Sequence, residues 1–242
     1  MGWLRTLVVA GAVAGLFAPV ARAADMPRDY LPPPPPPRVI DVIESSGGWY
    51  IRGDLGGTWG TGGTPQANAP LPNPGGSTFG RGYTGGLGVG YKSRWLRTDF
   101  TADYASPMQY TGTTFTADDT TAKLQASTVL FNGYIDLGTW YRVTPYIGAG
   151  AGAAYVRATE YAAPFFAGDN ARQQWNFAWA AMAGIAFPIA PNVQVDAGYR
   201  YVNSGDIAVG GNALGGMTFK NIAAHQVRVG LRWSFDDLYI PR

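Results

Sequence analysis

The chain has 242 residues, of which 46% are hydrophobic and only 14% are charged, and it contains no cysteine. Its formal net charge of +2 comes from Arg5 and Arg22 near the amino terminus, so the rest of the chain is neutral. This balance excludes a basic nucleic-acid-binding protein, and the lack of cysteine excludes thiolate metal sites and a cysteine nucleophile.

Residues 1–23 have the parts of a secretory signal peptide. Arg5 precedes an apolar run over 7–18, and Ala21 and Ala23 form a small-residue cleavage site. That run is too short to cross a bilayer as a helix, and no longer apolar run follows. We therefore predict an exported protein with no transmembrane helix.

A proline-rich linker follows at 24–47, with six successive prolines at 32–37. A run of this kind adopts polyproline II and acts as a semi-rigid spacer. We predict a solvated periplasmic linker, because nothing else in the sequence supports a proline-reading partner.

From residue 48 onward, apolar and polar side chains alternate with a period of two, which predicts β-strands whose two faces meet different environments. In the first strand Trp49, Ile51 and Leu55 share one face, and Arg52 and Asp54 share the other. The same alternation recurs and predicts eight strands, at 49–59, 83–91, 96–104, 123–137, 143–157, 175–187, 192–202 and 223–235.

The connections between these strands alternate in length. Short ones are predicted at 92–95, 138–142 and 188–191, and long ones at 60–82, 105–122, 158–174 and 203–222. Strands of about ten residues can cross a bilayer when tilted, and outer-membrane barrels have short periplasmic turns and long outer loops. The predicted fold is all-β: an eight-stranded antiparallel up-and-down transmembrane β-barrel over 48–235, followed by a short carboxy-terminal extension at 236–242.

Aromatic residues near the strand ends, such as Trp49, Trp95, Trp140 and Trp233, are typical of the two membrane interfaces. A soluble β-sandwich would also alternate and is the alternative fold, with its apolar faces packed on each other. The polar face is rich in glycine, where a water-facing surface would carry Lys and Glu, so we favour the barrel. The 60–82 connection is rich in Gly, Pro, Asn and Thr and is predicted to be a mobile loop.

If the apolar face meets lipid, the charged residues of the other face point into the lumen. Five arginines and five aspartates form this predicted lumen charge network: Arg52, Asp54, Arg97, Asp99, Asp103, Asp136, Asp196, Arg200, Arg228 and Arg232. The interior of an eight-stranded barrel is just wide enough to be filled by side chains. We expect paired charges and a plugged lumen; a narrow path for solutes or ions is the alternative.

Catalysis has little support in the sequence. The single histidine, His225, shares the lipid-facing side with Val227, and Glu160 is the only glutamate after Glu44. A lipid-hydrolysing barrel needs a nucleophile and a carboxylate near its histidine, and neither is indicated. We predict no enzyme activity, no cofactor and no metal site.

Three segments resemble the small opacity-like, porin-family outer-membrane barrels of alphaproteobacteria. They are Gly-Trp-Tyr-Ile-Arg-Gly-Asp at 48–54, Tyr-Arg-Tyr at 199–201 and His-Gln-Val-Arg-Val-Gly-Leu-Arg-Trp at 225–233. The resemblance spans about 48–235 and implies an abundant surface antigen with no catalytic residues. The chain departs from the family pattern in that seven residues follow Phe235, where such barrels usually end. Either the assembly signal is read internally, or the last strand runs further.

Together these features predict a structural surface protein of the Gram-negative outer membrane, anchored in lipid and presenting four loops. Its expected partners are outer-membrane lipid, the barrel assembly machinery and, through the loops, an extracellular ligand or host surface; nucleic acid is not expected. The first alternative is a narrow porin-like channel, and the second is a lipid-modifying barrel enzyme.

Overall fold

The computed structural model describes residues 47–67, 75–113, 119–163, 166–167, 172–209 and 217–235. The predicted signal peptide, the linker up to residue 46 and the 236–242 extension lie outside these ranges. Within them the chain forms strands β1 (Gly48–Ala67), β2 (Gly75–Phe79), β3 (Arg81–Ser93), β4 (Leu96–Ala105), β5 (Met108–Thr113), β6 (Asp119–Asp136), β7 (Thr144–Ala163), β8 (Phe166–Ala167), β9 (Arg172–Ala190), β10 (Val193–Asn203), β11 (Ile207–Val209) and β12 (Met217–Ser234). No helix in the described ranges is long and apolar enough to cross a membrane.

Eight of these strands close into a ring. In chain order, β1, β3, β4, β6, β7, β9, β10 and β12 each pair antiparallel with the next, and β12 pairs back onto β1. The prediction of an eight-stranded antiparallel up-and-down barrel is therefore confirmed. A closed ring has no free sheet edge, and this is the form in which strands can cross a membrane.

The two faces of the ring differ as the period-two pattern predicts. On β4, Asp99 is only 2% exposed, while the adjacent Phe100 is 53% exposed. The same holds on β1, where Asp54 is buried and Leu55 is 75% exposed. Apolar side chains thus cover the outside of the barrel, the reverse of a soluble sandwich, and the sandwich alternative is wrong.

One end of the barrel carries the short turns. Residues 94–95, 137–143 and 191–192 separate β3 from β4, β6 from β7 and β9 from β10. Two of these turns need left-handed backbone, with φ of 48° at Arg94 and 69° at Arg142. This end is here named the turn end. Outer-membrane barrels place their short turns in the periplasm, so we expect the turn end to face the periplasm.

At the opposite end, here named the loop end, the strands are longer than predicted. The predicted long loop at 60–82 is mostly strand: β1 continues to Ala67, and β2 occupies Gly75–Phe79. The prediction of a loop is therefore wrong for these residues. The other three long connections likewise contain strand residues of β5, β6, β7, β9, β11 and β12. The pairing of β1 with β12 runs as far as Ala67 opposite Met217.

The reason for this difference lies in the side chains that point inward at the loop end. There the interior is apolar, with Tyr110, Leu124 and Phe219 almost completely buried. In these strand extensions apolar side chains point inward, and polar ones such as Gln109 and Lys220 point outward. This contrast is the reverse of the one in the middle of the barrel, so a period-two pattern with an apolar outer face does not include these segments. Backbone hydrogen bonding to neighbouring strands continues all the same.

Candidate functional site

The lumen is the candidate functional site, and its central group is Asp103 on β4. Arg200 of β10 donates from Nη1 to Asp103 Oδ2 at 2.8 Å, and Arg228 of β12 donates from Nη2 to Oδ1 at 2.5 Å. The hydroxyl of Thr101 donates to the same carboxylate at 3.2 Å. One buried aspartate therefore holds two arginines that reach it across the barrel, and charge-assisted bonds of this kind are among the stronger ones in proteins.

A second group forms around Arg52 on β1. Its guanidinium makes a two-point contact with Asp54, at 2.7 Å and 3.0 Å, and also donates to Asp99 at 3.0 Å. Asp99 accepts further hydrogen bonds from Asn132 Nδ2 at 2.8 Å and from the Tyr50 hydroxyl at 3.1 Å. Buried carboxylates need such partners, because an unpaired buried charge is very costly.

A third group lies towards the turn end. Arg97 donates from Nε to Asp136 at 2.8 Å and lies 4.0 Å from Asp196, which is 3.4 Å from Arg232. The guanidinium of Arg97 also lies over the ring of Tyr146, 4.6 Å from its centroid. Arg232 completes its contacts with a hydrogen bond to Gln194.

All ten residues of the predicted charge network therefore lie inside the barrel, and each has an oppositely charged partner within 4.0 Å. The sequence prediction did not include Lys92, which lies 3.5 Å from Asp136, or the tyrosines that fill the space between charges. Tyr134 is one of these: it accepts a hydrogen bond from Arg52 at 3.0 Å. Tyr134 shares a strand face with Asn132 and Asp136, and this shared face is the sequence signal that could have identified it as a lumen residue.

Glycines make room for the long arginine side chains. A Cβ atom on Gly86 would lie 2.8 Å from Nη2 of Arg228, and one on Gly88 would lie 3.1 Å from Cγ of Arg52. The Cβ on Gly86 would also overlap Oδ1 of Asp103, so a larger residue there would have to displace the carboxylate and the guanidinium that pair. The glycine-rich inner face of β3 is thus part of the charge network.

Beyond the charges, towards the loop end, the lumen contains an apolar cluster. Its members include Tyr110, Leu124, Leu130, Val156, Ile207 and Phe219. The rings of Tyr110 and Phe219 meet edge to face, with centroids 4.9 Å apart. Sequence reasoning missed this cluster, because about half of its residues, including Tyr110, Ile207 and Phe219, fall in segments that were predicted to be loops.

Little space is left between these layers. One cavity within the charge network has a volume of about 20 Å³ and is lined by residues that include Arg52, Asp54, Asp196, Arg200 and Arg228. A volume of that size accommodates about one water molecule.

Comparison with known proteins places this geometry in a family. The model of the outer membrane protein beta-barrel domain matches residues 10–235. The chain belongs to this family. An uncharacterised protein of Brucella abortus strain 2308 is 30% identical over 210 residues, covering 69% of this chain and 70% of that protein. The Gram-negative outer membrane is accordingly where this barrel resides.

Two better-described proteins share parts of this likeness. The outer membrane protein PagN of Salmonella typhimurium is 33% identical over 97 residues, 39% of this chain and 41% of PagN. The crystal structure of the outer membrane protein OprG from Pseudomonas aeruginosa matches with a TM-score of 0.52 and 14% identity, over 77% of this chain and 96% of that one. The OprG match shows a common fold only.

On the outer face of this membrane barrel, His225 lies among aromatic rings. It stacks on Trp59, with ring centroids 5.9 Å apart, and its Nδ1 is hydrogen-bonded to the Tyr199 hydroxyl. Its neighbour on the same face, Val227, is exposed and carries no nucleophile. Within the described part of the chain, no group of three or more His, Cys, Asp or Glu residues could hold a metal ion.

Proposed function

We propose that this protein is a closed, non-conducting anchor of the outer membrane that presents its loop end to the outside of the cell. One observation carries the proposal: in the described residues, the charge network and the apolar cluster pack the lumen, and the cavity within the charge network has a volume of about 20 Å³. A barrel filled in this way offers no continuous water path, and its extended strands support a recognition surface.

The alternative is a narrow porin-like channel selected by the lumen arginines. Such a path would have to separate Arg228 and Arg200 from Asp103, to which they donate at 2.5 Å and 2.8 Å. It would also have to displace the apolar cluster around Tyr110 and Phe219. Neither change is expected at equilibrium, because buried charges that lose their partners are strongly destabilising.

The partners and segments outside the described barrel belong to the same proposal. Residues 1–23 would direct export, 24–47 would span part of the periplasm, and 236–242 would follow the strand that the assembly machinery reads. The loop end would bind an extracellular ligand or host surface. We propose no catalytic role, since the hydroxyl beside His225 belongs to a tyrosine and no carboxylate is recorded in contact with that ring among the described residues.

We expect the folded mature protein to be silent in a planar lipid bilayer, and an Arg228→Ala variant to be silent as well, because the apolar cluster stays in place. Single-channel recording measures this directly. A heat-modifiable shift on a gel serves as the control that the inserted protein is a folded barrel. Steady conductance that changes in the variant would instead make the lumen a transport path.

A further inference from the structure

A groove runs along the outer, lipid-facing surface of the barrel and is here named the lateral groove. Its volume is about 690 Å³, and its lining is largely apolar. Small residues on four adjacent strands form its floor: Gly53, Gly85, Ala102 and Ser127. Large side chains such as Leu87, Tyr104 and Trp175 rise beside it.

A row of polar side chains lies next to the lateral groove on its loop-end side. Gln125 of β6, Arg157 of β7 and Gln173 of β9 are direct cross-strand neighbours. The next outward-facing row towards the turn end is Ser127, Tyr155 and Trp175, and all three line the groove. Two residues along a strand span about 7 Å, so the guanidinium of Arg157 can reach the mouth of the groove.

Arg157 differs from the arginines of the lumen. Its side chain is exposed and forms no ion pair with the described residues. Gln173 beside it accepts a hydrogen bond from the Tyr155 hydroxyl, which fixes the position of that amide. The row thus offers one cation flanked by amide donors, at the boundary where the apolar surface ends.

The lateral groove differs from another sector of the outer surface, in which aromatic rings pack on each other. There, Trp59 of β1 stacks on His225, and Tyr201 of β10 meets the same ring with centroids 5.3 Å apart. Large packed rings occupy the row between β1 and β10. In the sector of the lateral groove, small and large residues alternate along each outward row, and the small residues leave open space between the large ones. One such row is Leu55, Gly85, Tyr104 and Ser127.

We propose that the lateral groove and the polar row together bind an anionic glycolipid of the outer leaflet. An acyl chain would lie in the groove, and Arg157 would pair with a phosphate or carboxylate of the headgroup. The planar guanidinium suits such two-point recognition, and the flanking glutamines can bond sugar hydroxyls. This assignment rests on the orientation in the proposed function, with the loop end outward, because only the outer leaflet meets Arg157 in that orientation.

Native mass spectrometry of the folded, detergent-solubilised full chain, titrated with lipopolysaccharide or with phosphatidylglycerol, tests the proposal. We expect the wild-type protein to retain lipopolysaccharide in preference to phosphatidylglycerol. Arg157→Gln, which removes the cation, should weaken retention about tenfold, as expected for the loss of one charge-assisted contact. Ser127→Leu, which fills the groove, should also weaken retention, because the acyl chain loses its place. The matched control is Arg142→Gln, which removes an exposed cation at the turn end and should bind like wild type.

Heat modifiability verifies that each variant is folded. Equal retention of the two lipids by the wild-type protein would overturn the proposal, as would full retention of lipopolysaccharide by both groove variants. Neither outcome bears on conductance, since Arg157 and Ser127 lie outside the lumen; a silent barrel without lipid preference would contradict the lipid site alone.

Discussion

Replacing Asp103 by asparagine is expected to lower the free energy of unfolding of the barrel by about 3–5 kcal/mol, the usual cost of removing one partner from a buried ion pair. The side chain is buried, and its carboxylate is the hydrogen-bond acceptor of both Arg200 and Arg228. Asparagine keeps the volume and removes the charge, so two guanidinium groups lose their main compensation. Urea unfolding in lipid vesicles measures the effect.

Two further variants make this experiment decisive. Asp206→Asn is the matched control: Asp206 is exposed and accepts a bond from the backbone of Asn221, which asparagine can also accept, so a change within about 0.5 kcal/mol is expected. Adding Arg200→Gln to Asp103→Asn should recover part of the loss, because Arg200 pairs with Asp103, whereas Arg228 keeps Asp54 at 3.7 Å. Unfolding of Asp103→Asn at the wild-type urea concentration would show that the charge network does not stabilise the fold.

The second large effect is expected on the opposite face, at Val229 of β12. Its side chain is 56% exposed and lies between Leu55 and Ala197 on neighbouring strands. Substitution by arginine should cost about 2–4 kcal/mol in a bilayer, because a cation would face hydrocarbon near the middle of the membrane. The same urea titration in vesicles measures it.

Val229→Leu serves as the control at this position, since it keeps an apolar side chain towards lipid and should leave stability nearly unchanged. An arginine variant as stable as the leucine variant would mean that this face does not contact the hydrocarbon core. The assignment of inside and outside would then be wrong for the whole barrel, because β12 shares its register with β1 and β10.

The sequence alone predicts which side chains face the lumen wherever two neighbouring side chains meet different environments. Asp99 and Phe100 are adjacent on β4, and their contrast already predicts which of them faces the lumen. The charge network could be predicted as a set for the same reason. Its pairings could not, because Arg228 meets Asp103 from 125 residues away and that contact depends on the register of the closed ring.

The loop end was the part that sequence patterns misjudged. Phe219 and Ile222 both point inward, although they are three residues apart. Asn221 lies between them with a φ of 54°, and this irregularity breaks the alternation. A pattern search reads such a segment as a loop, whereas pairing with β1 and β11 holds it as strand. The apolar cluster depends on contacts between strands that no single segment reveals.

We expect one face of each strand to meet lipid while the other is sealed inside the barrel. Thiol labelling at two adjacent positions of β4, Thr101→Cys and Ala102→Cys, tests it most directly, because the chain has no cysteine of its own. Thr101 is buried beside the small cavity and Ala102 is exposed on the outer face. In vesicles, the cysteine at 102 should react only with a membrane-soluble reagent, and the cysteine at 101 with neither a membrane-soluble nor a water-soluble one. Labelling of position 101 by the water-soluble reagent would reveal an open lumen, and labelling of 102 by it would place that face in water.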